Sequence, residues 1–181
     1  LFLGVGLKSP TRLGIPGEEL SGVHDALTFI EKVTTRKWSS VDVGKRVAVI
    51  GAGNTAIDAV TEAKRLGAEQ VSIIYRRSRE EMSAYDFEYE LAKSDGANFY
   101  FSTVPTRIIG KSHVEALECV QVKYSAADTE GRRALQPIPN TEFRIPVDMV
   151  IKAVGQRVEK SFIDSIPNLK TENGNVVVHE T

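Results

Sequence analysis

The stretch from Lys45 to Tyr75 limits what this chain can fold into more than any other. After Arg46 come Val47-Ala48-Val49-Ile50, a continuous β-branched run of the kind that forms a parallel strand buried on both faces. It leads directly into Gly51-Ala52-Gly53, after which apolar residues recur at Ala56, Ile57, Ala59, Val60 and Ala63. That spacing predicts a helix over 54–66, with Gly67 suited to its carboxyl end. A second run, Val71-Ser72-Ile73-Ile74-Tyr75, follows. Strand, helix and strand in this order form a crossover, which joins parallel neighbours. The expected fold class is therefore α/β: a Rossmann-like, doubly wound parallel sheet.

The rest of the chain fits around that unit. Leu1-Phe2-Leu3 reads as a short strand, Gly4-Val5-Gly6 as a turn, and residues 25–33 as a helix with Leu27, Phe29 and Ile30 apolar. A polar linker follows over 34–44, and a further helix is expected over 86–94, before a strand at 98–101. From Thr106 to Val147 the pattern changes. Arg107–Ile109, Val114–Tyr124 and Glu142–Val147 read as strands joined by polar turns too short for crossover helices, which makes an antiparallel β-meander. Met149-Val150-Ile151 returns to a buried-strand pattern that ends at Gly155, and another apolar run, Val176-Val177-Val178, lies close to the end.

Composition narrows the function classes. Hydrophobic residues make up 41% of the 181 residues and charged residues 26%, enough apolar surface for a core. Lys and Arg total 23 against 24 Asp and Glu, so no overall field marks a nucleic-acid or membrane-surface binder, and anion recognition has to be local. A single cysteine, Cys119, excludes an internal disulfide, in keeping with a cytoplasmic, reducing compartment. No apolar stretch is long enough for a membrane span, and the opening run lacks the charge of a signal peptide. Both ends of the chain fall in or beside apolar runs, as though cut from something longer.

Gly51-Ala52-Gly53-Asn54-Thr55-Ala56 fits G-x-G-x-x-G/A at the place where such a turn binds a dinucleotide, between a strand and a helix of a β-α-β unit. Gly51 permits the tight turn, Gly53 lets the backbone approach a pyrophosphate, and Ala56 keeps helix and strand close. N–H groups at the helix start, including those of Asn54 and Thr55, then hold phosphate oxygens, and their side chains can cap the helix or donate as well. The end of the second strand reports which dinucleotide fits. An NAD site places a carboxylate there, against the ribose hydroxyls. Here Tyr75 is followed by Arg76-Arg77, with Arg79 beyond, and guanidinium groups suit a 2′-phosphate. The expected cofactor is NADPH, with NADH the alternative. The competing reading pairs these arginines with Glu80, Glu81 or Glu88 on a solvated surface.

Other chemistry is thinly represented. His24, His113 and His179 have no metal-ligand spacing, and Cys119 sits inside an apolar strand pattern. Asp58 falls within the first predicted helix as a structural residue. Tyr89 and Lys93 have the Tyr-x-x-x-Lys spacing of short-chain dehydrogenases. Any i, i+4 pair shares a helix face, however, and those enzymes differ in glycine spacing and place the tyrosine much later. No acid/base pair, triad or metal cluster is evident.

The segment GKRVAVIGAGNTAIDAVTEAKRLGAEQVSIIYRRSREEMSA (44–84) closely resembles the NADPH-binding domain of the glutamate synthase small-subunit family. That group includes the flavoprotein part of dihydropyrimidine dehydrogenases and is related to the pyridine nucleotide-disulfide oxidoreductases. The resemblance continues in Ile15-Pro16-Gly17-Glu18-Glu19-Leu20 and in Asp148-Met149-Val150-Ile151-Lys152-Ala153-Val154-Gly155-Gln156.

The resemblance implies a flavoprotein with two dinucleotide-binding domains, in which an NAD(P)H domain carrying a β-meander interrupts an FAD domain. On that basis residues 1–43 form a stub of the FAD domain with a linker, 44–147 the NAD(P)H domain with the meander at about 106–147, and 148–181 a return segment. Two crossings join such domains, and Gly4-Val5-Gly6 and Ala153-Val154-Gly155 occupy their places, near nicotinamide and flavin. The implied reaction is hydride transfer from NADPH to FAD, with electrons passing on to an iron–sulfur partner or catalytic subunit. The glycine motif for FAD, the later Gly-Asp segment and the cysteine clusters of iron–sulfur centres are not found in these residues. FAD is therefore expected in a parent enzyme, with the chain alone behaving as a nucleotide-binding module.

Overall fold

The computed structural model describes residues 9–125, 134–157, 160–167, 169–172 and 175–177. In chain order the strands are β1 (Ser9–Pro10), β2 (Val23–Asp25), β3 (Arg46–Ile50), β4 (Gln70–Ile74), β5 (Asn98–Tyr100), β6 (Thr103–Gly110), β7 (Val114–Tyr124), β8 (Leu135–Pro137), β9 (Phe143–Pro146), β10 (Met149–Lys152), β11 (Gln156–Arg157), β12 (Thr171–Glu172) and β13 (Asn175–Val176). The α-helices are α1 (Ala26–Thr35), α2 (Asn54–Arg65), α3 (Asp86–Ser94) and α4 (Lys160–Asp164). The chain divides into two compact units, a larger one over 13–153 and a smaller one made of 1–12 and 154–181.

The core of the larger unit is a five-stranded sheet ordered β2-β10-β3-β4-β5, with every neighbouring pair parallel. Its strands end together: Asp25, Lys152, Ile50, Ile74 and Tyr100 are consecutive register partners along one rung. Side chains alternate across each strand. Val47, Val49, Val71, Ile73, Met149 and Ile151 join a buried cluster with helix residues that include Phe29, Ile57 and Val60. The alternate residues Ala48, Ile50, Ser72, Ile74 and Val150 are buried as well. On that side β6 and β7 pack against β4 and β10. The parallel sheet thus lies between a helical layer and an antiparallel sheet.

Helix α2 buries the face its periodicity requires: Ala56, Ile57, Ala59, Val60 and Ala63, together with Thr61. Helix α1 is turned differently from the simple expectation, since it buries Ala26, Phe29 and Val33 and leaves Leu27 exposed. In the antiparallel sheet β7 is the spine, paired with β6 and with both β8 and β9. Strand β8 has only three residues and a terminal proline, too short to leave a periodic signature. Ser102 is the hinge between the two sheets, with a left-handed φ of 48°. Its N–H donates to the Arg77 carbonyl at 2.9 Å and its own carbonyl accepts from Val122 at 2.7 Å, so the strained residue is held from both sides.

The limits of the larger unit differ from those expected from motif register. It begins at Leu13 rather than 44 and ends at Ala153 rather than 147. The reason is strand pairing. β10 inserts between β2 and β3, so the segments before 44 and after 147 complete one sheet with the β-α-β unit.

In the smaller unit β1 and β11 pair antiparallel, with Ser9 opposite Arg157 and Pro10 opposite Gln156. Thr11 donates its N–H to the Gly155 carbonyl at 3.1 Å. β12 and β13 form a second antiparallel pair. The expected Leu1-Phe2-Leu3 strand and the Gly4-Val5-Gly6 turn lie outside the described residues, as does His179.

Candidate functional site

The carboxyl edge of the parallel sheet gathers most of the residues singled out from sequence. Gly51 follows β3, Arg76 and Arg77 follow β4, and Ala153 follows β10. β10 and β4 flank β3 on either side, so the glycine turn opens at the middle of this edge, outside the carboxyl ends of the strands, where ligands of open α/β sheets bind.

Gly51 leaves the strand with φ of +125°, in the region that disfavours side chains. Its N–H donates to the Ile74 carbonyl at 3.0 Å, and a Cβ at this position would run into the Ala153 carbonyl. Ala52 is buried, and its carbonyl accepts from the Ala84 N–H at 3.3 Å, so the loop before α3 is tied to the turn. Gly53 is the residue that caps α2, with extended backbone and no side chain to offer. Ala56, fully buried, donates to the Gly53 carbonyl at 2.8 Å. Among the described residues the N–H groups of Gly53, Asn54 and Thr55 meet no backbone acceptor. The first turn of α2 therefore presents uncommitted donors and the positive end of the helix dipole.

Asn54 adds a second sign of a missing partner. Its Oδ1 is buried and has no hydrogen bond. Buried polar atoms are normally satisfied, so an orphan beside a glycine turn fits a site that a ligand completes. The cradle and the free N–H groups suit a pyrophosphate, and the orphan oxygen suits a donor on a group attached to it, such as a ribose hydroxyl.

Arg76 and Arg77 are both exposed. Among the described residues neither forms an ion pair with a carboxylate. Their loop is nevertheless fixed: Thr103 donates to the Tyr75 carbonyl at 3.0 Å and Ser102 to that of Arg77. Tyr75 Oη donates to the Glu81 carbonyl at 2.7 Å, and Tyr124 Oη to Glu81 Oε1 at 2.6 Å. Glu81 is thereby engaged, and the Tyr124 hydroxyl holds its carboxyl below the usual range.

Arg79 belongs to a different arrangement. It pairs with Asp86 at 2.6 Å and stacks 3.9 Å above the Tyr89 ring. Tyr89 in turn packs edge-on against Phe99 at 4.7 Å. Tyr89 is thus a packing residue under a guanidinium, which removes the Tyr-x-x-x-Lys reading. Asp58 lies on the exposed side of α2, and Cys119 is fully buried in β7. Burial, aided by Glu118, pushes the Cys119 thiol up to about 12. No cluster of metal-ligating side chains occurs among the described residues.

Of the remaining predicted residues, Ala153 donates its N–H to the Ile50 carbonyl at 2.8 Å, which seats it beside the turn. Val154 and Gly155 fall in the smaller unit, where Gly155 has φ of +90°.

One cluster escaped the sequence reading. Lys152 Nζ lies 2.9 Å from Glu18 Oε1 and 3.1 Å from Asp25 Oδ1. The Asp25 contact has ion-pair distance without the alignment of a hydrogen bond, since the same oxygen is otherwise unsatisfied. Glu18 also accepts the N–H groups of Leu13 at 3.0 Å and Gly14 at 2.9 Å. Burial acts to raise the Glu18 carboxyl, but Lys152 and these two donors outweigh it and leave it below the usual range. Burial likewise acts against the Lys152 ammonium, and Glu18 and Asp25 hold it above its ordinary value. A lysine set between the apolar run Met149-Val150-Ile151 and Ala153-Val154 was the available clue.

The sequence pattern of the pyridine nucleotide-disulphide oxidoreductases matches residues 1–181. The chain belongs to that family. Among curated proteins, it is 37% identical over 167 residues to the NADP(+)-dependent formate dehydrogenase subunit beta of Moorella thermoacetica, covering 91% of this chain and 24% of that protein. It is 35% identical to the NADPH-Fe(3+) oxidoreductase subunit beta of Geobacter sulfurreducens, covering 98% of this chain and 27% of that protein. It is 34% identical to the Glutamate synthase [NADPH] small chain of Escherichia coli, covering 87% and 36% respectively. The chain thus spans between about a quarter and about a third of the length of these relatives. In fold, Mycobacterium tuberculosis FprA in complex with NADPH is similar at a TM-score of 0.68 and 23% identity, with 84% of this chain and 49% of that one covered. The resemblance to the glutamate synthase small-subunit group read from the sequence therefore holds, as does the α/β class with its separate antiparallel sheet.

Proposed function

We propose that the larger unit binds NADPH and serves as the electron-donor site of an FAD-dependent oxidoreductase. The observation that carries this reading is the pair Arg76 and Arg77, exposed at the end of β4 and, among the described residues, in no salt bridge with a carboxylate, on the same sheet edge as the uncapped start of α2. An NAD site would have a carboxylate in that place. The relatives from Moorella, Geobacter and Escherichia are named for NADP(+) or NADPH, which agrees with the arginines.

Each residue group has a distinct task. The N–H groups of Gly53, Asn54 and Thr55 hold the pyrophosphate, Asn54 Oδ1 accepts a hydrogen bond from the ligand, and the two guanidinium groups clamp the 2′-phosphate. Gly51 lets the turn lie against Ala153. When bound, the nicotinamide supplies a hydride and FAD accepts it, so the chemistry belongs to the cofactors and the protein provides position and electrostatics. The smaller unit, with Val154 and Gly155, is the part we assign to the flavin-binding portion. Electrons then pass to an iron–sulfur partner or catalytic subunit, in the manner of a glutamate synthase small subunit.

Calorimetric titration of the chain with NADPH and NADH tests the reading. Tighter binding of NADPH supports it. Equal or tighter binding of NADH would point to an NADH-using subunit of the dihydropyrimidine dehydrogenase type.

A further inference from the structure

Two segments have no direct task in holding the dinucleotide: Ile15–Leu20, and the end of β10. The structure joins them through Glu18 and Lys152, whose side chains are only 5% and 11% exposed. Lys152 occupies the last rung of the parallel sheet, between Asp25 on one side and Ile50 on the other. The residue after it, Ala153, donates to the Ile50 carbonyl and places its own carbonyl behind Gly51. An unbroken chain of contacts therefore runs from Glu18 and Asp25, through Lys152 and Ala153, to the first glycine of the dinucleotide turn.

A lysine is a poor filler for this place. A methionine of similar length would occupy the space without desolvating a charge, and buried ion pairs are weak devices for stability alone. What they do well is select one arrangement, because charge-assisted hydrogen bonds depend steeply on distance and angle. Here both Glu18 oxygens are committed: Oε1 to Lys152 and Leu13, Oε2 to Gly14. Asp25 is the residue that precedes α1, yet its carboxylate makes no cap hydrogen bond and lies beside Lys152. Two stretches distant in sequence, 13–25 and the end of β10, are thereby held together.

We propose that Lys152, held by Glu18 and Asp25, is a positioning residue that sets the Ala153 carbonyl behind Gly51 and so fixes the backbone path of the dinucleotide turn. Lys152 acts through the turn and is not assigned a contact with the nucleotide. The effect on affinity rests on the nucleotide-binding reading above; the effect on the turn does not.

The test uses the full chain and its Lys152→Met, Lys152→Arg and Glu18→Gln variants, at a temperature where circular dichroism shows each to be folded. Amide resonances of Gly51 and Gly53 report the turn, and calorimetry reports NADPH affinity. Lys152→Met is expected to shift both glycine resonances and weaken NADPH on the order of tenfold. Lys152→Arg, which keeps the charge, is expected to return both towards wild type, a rescue that simple filling of space would not produce. Glu18→Gln conserves volume and carries the same comparison if Lys152→Met does not fold. Glycine resonances that stay in place in Glu18→Gln and in any folded Lys152→Met overturn the proposal. If the resonances move while the wild-type chain binds no NADPH, the positioning role stands and the nucleotide reading alone fails.

Discussion

The carbonyl of Ala153 stands where a side chain on Gly51 would have to begin. Gly51 also has φ of +125°, so space and backbone conformation both demand glycine there. Gly51→Ala is expected to destabilise the fold by about 3 kcal/mol or more, measured as a lower urea midpoint, because strain and overlap add.

Gly53 gives the opposite balance. Its φ of −89° is ordinary, and a Cβ would sit 3.4 Å from Ser83 Oγ, a tolerable contact. Gly53→Ala is expected to lower stability by about 1 kcal/mol or less. NADPH affinity should nevertheless fall roughly tenfold or more, because the methyl group occupies the space through which a pyrophosphate approaches the backbone. Paired urea and calorimetry measurements separate the two glycines.

Arg76→Ala with Arg77→Ala is expected to reduce the preference for NADPH over NADH by roughly ten- to a hundredfold, with an unchanged melting temperature. Arg79→Ala should behave in the reverse manner. Its guanidinium is engaged by Asp86 and Tyr89, so the melting temperature falls while the nucleotide preference remains. Matching losses for both nucleotides in the Arg76 and Arg77 variant would show that these residues supply only a general field.

Acid stability should report the Glu18 carboxyl. Its value in the folded protein lies below the ordinary 4.5, so its contribution is complete above that value. The contribution is lost as pH falls through the folded value, because protonation then favours the unfolded chain. Urea midpoints measured downward from pH 5 should drop for the wild type, and Glu18→Gln should drop less. At neutral pH the same variant should be less stable by about 3 kcal/mol, since it leaves Lys152 poorly compensated.

Cys119 has no exposed surface, and its thiol is pushed up to about 12. It should be inert to a disulfide-exchange reagent in native buffer and titrate as one thiol in guanidinium. Prompt reaction in the native state would contradict the burial of β7.

The β-α-β unit was legible because its signals are local. The β-branched run over 47–50, the helical spacing from Ala56 to Ala63 and the glycines between them each report on a few neighbouring residues. Arg76 and Arg77 were legible for the same reason, since they follow a strand whose end is visible in the sequence. The Arg79–Tyr89 stack was not, because charge runs look alike until a partner is known.

What the sequence determined alone was the set of elements and the chemistry of the turn, through periodicity, glycine spacing and residue charge. Tertiary structure decided where β2 and β10 enter the sheet, and therefore what stands behind Gly51. Lys152 meets Glu18 across 134 positions, and the Arg46 N–H meets Asp148 across 102. Strand order is settled by which buried faces and charges can be satisfied together, and no local pattern records that choice.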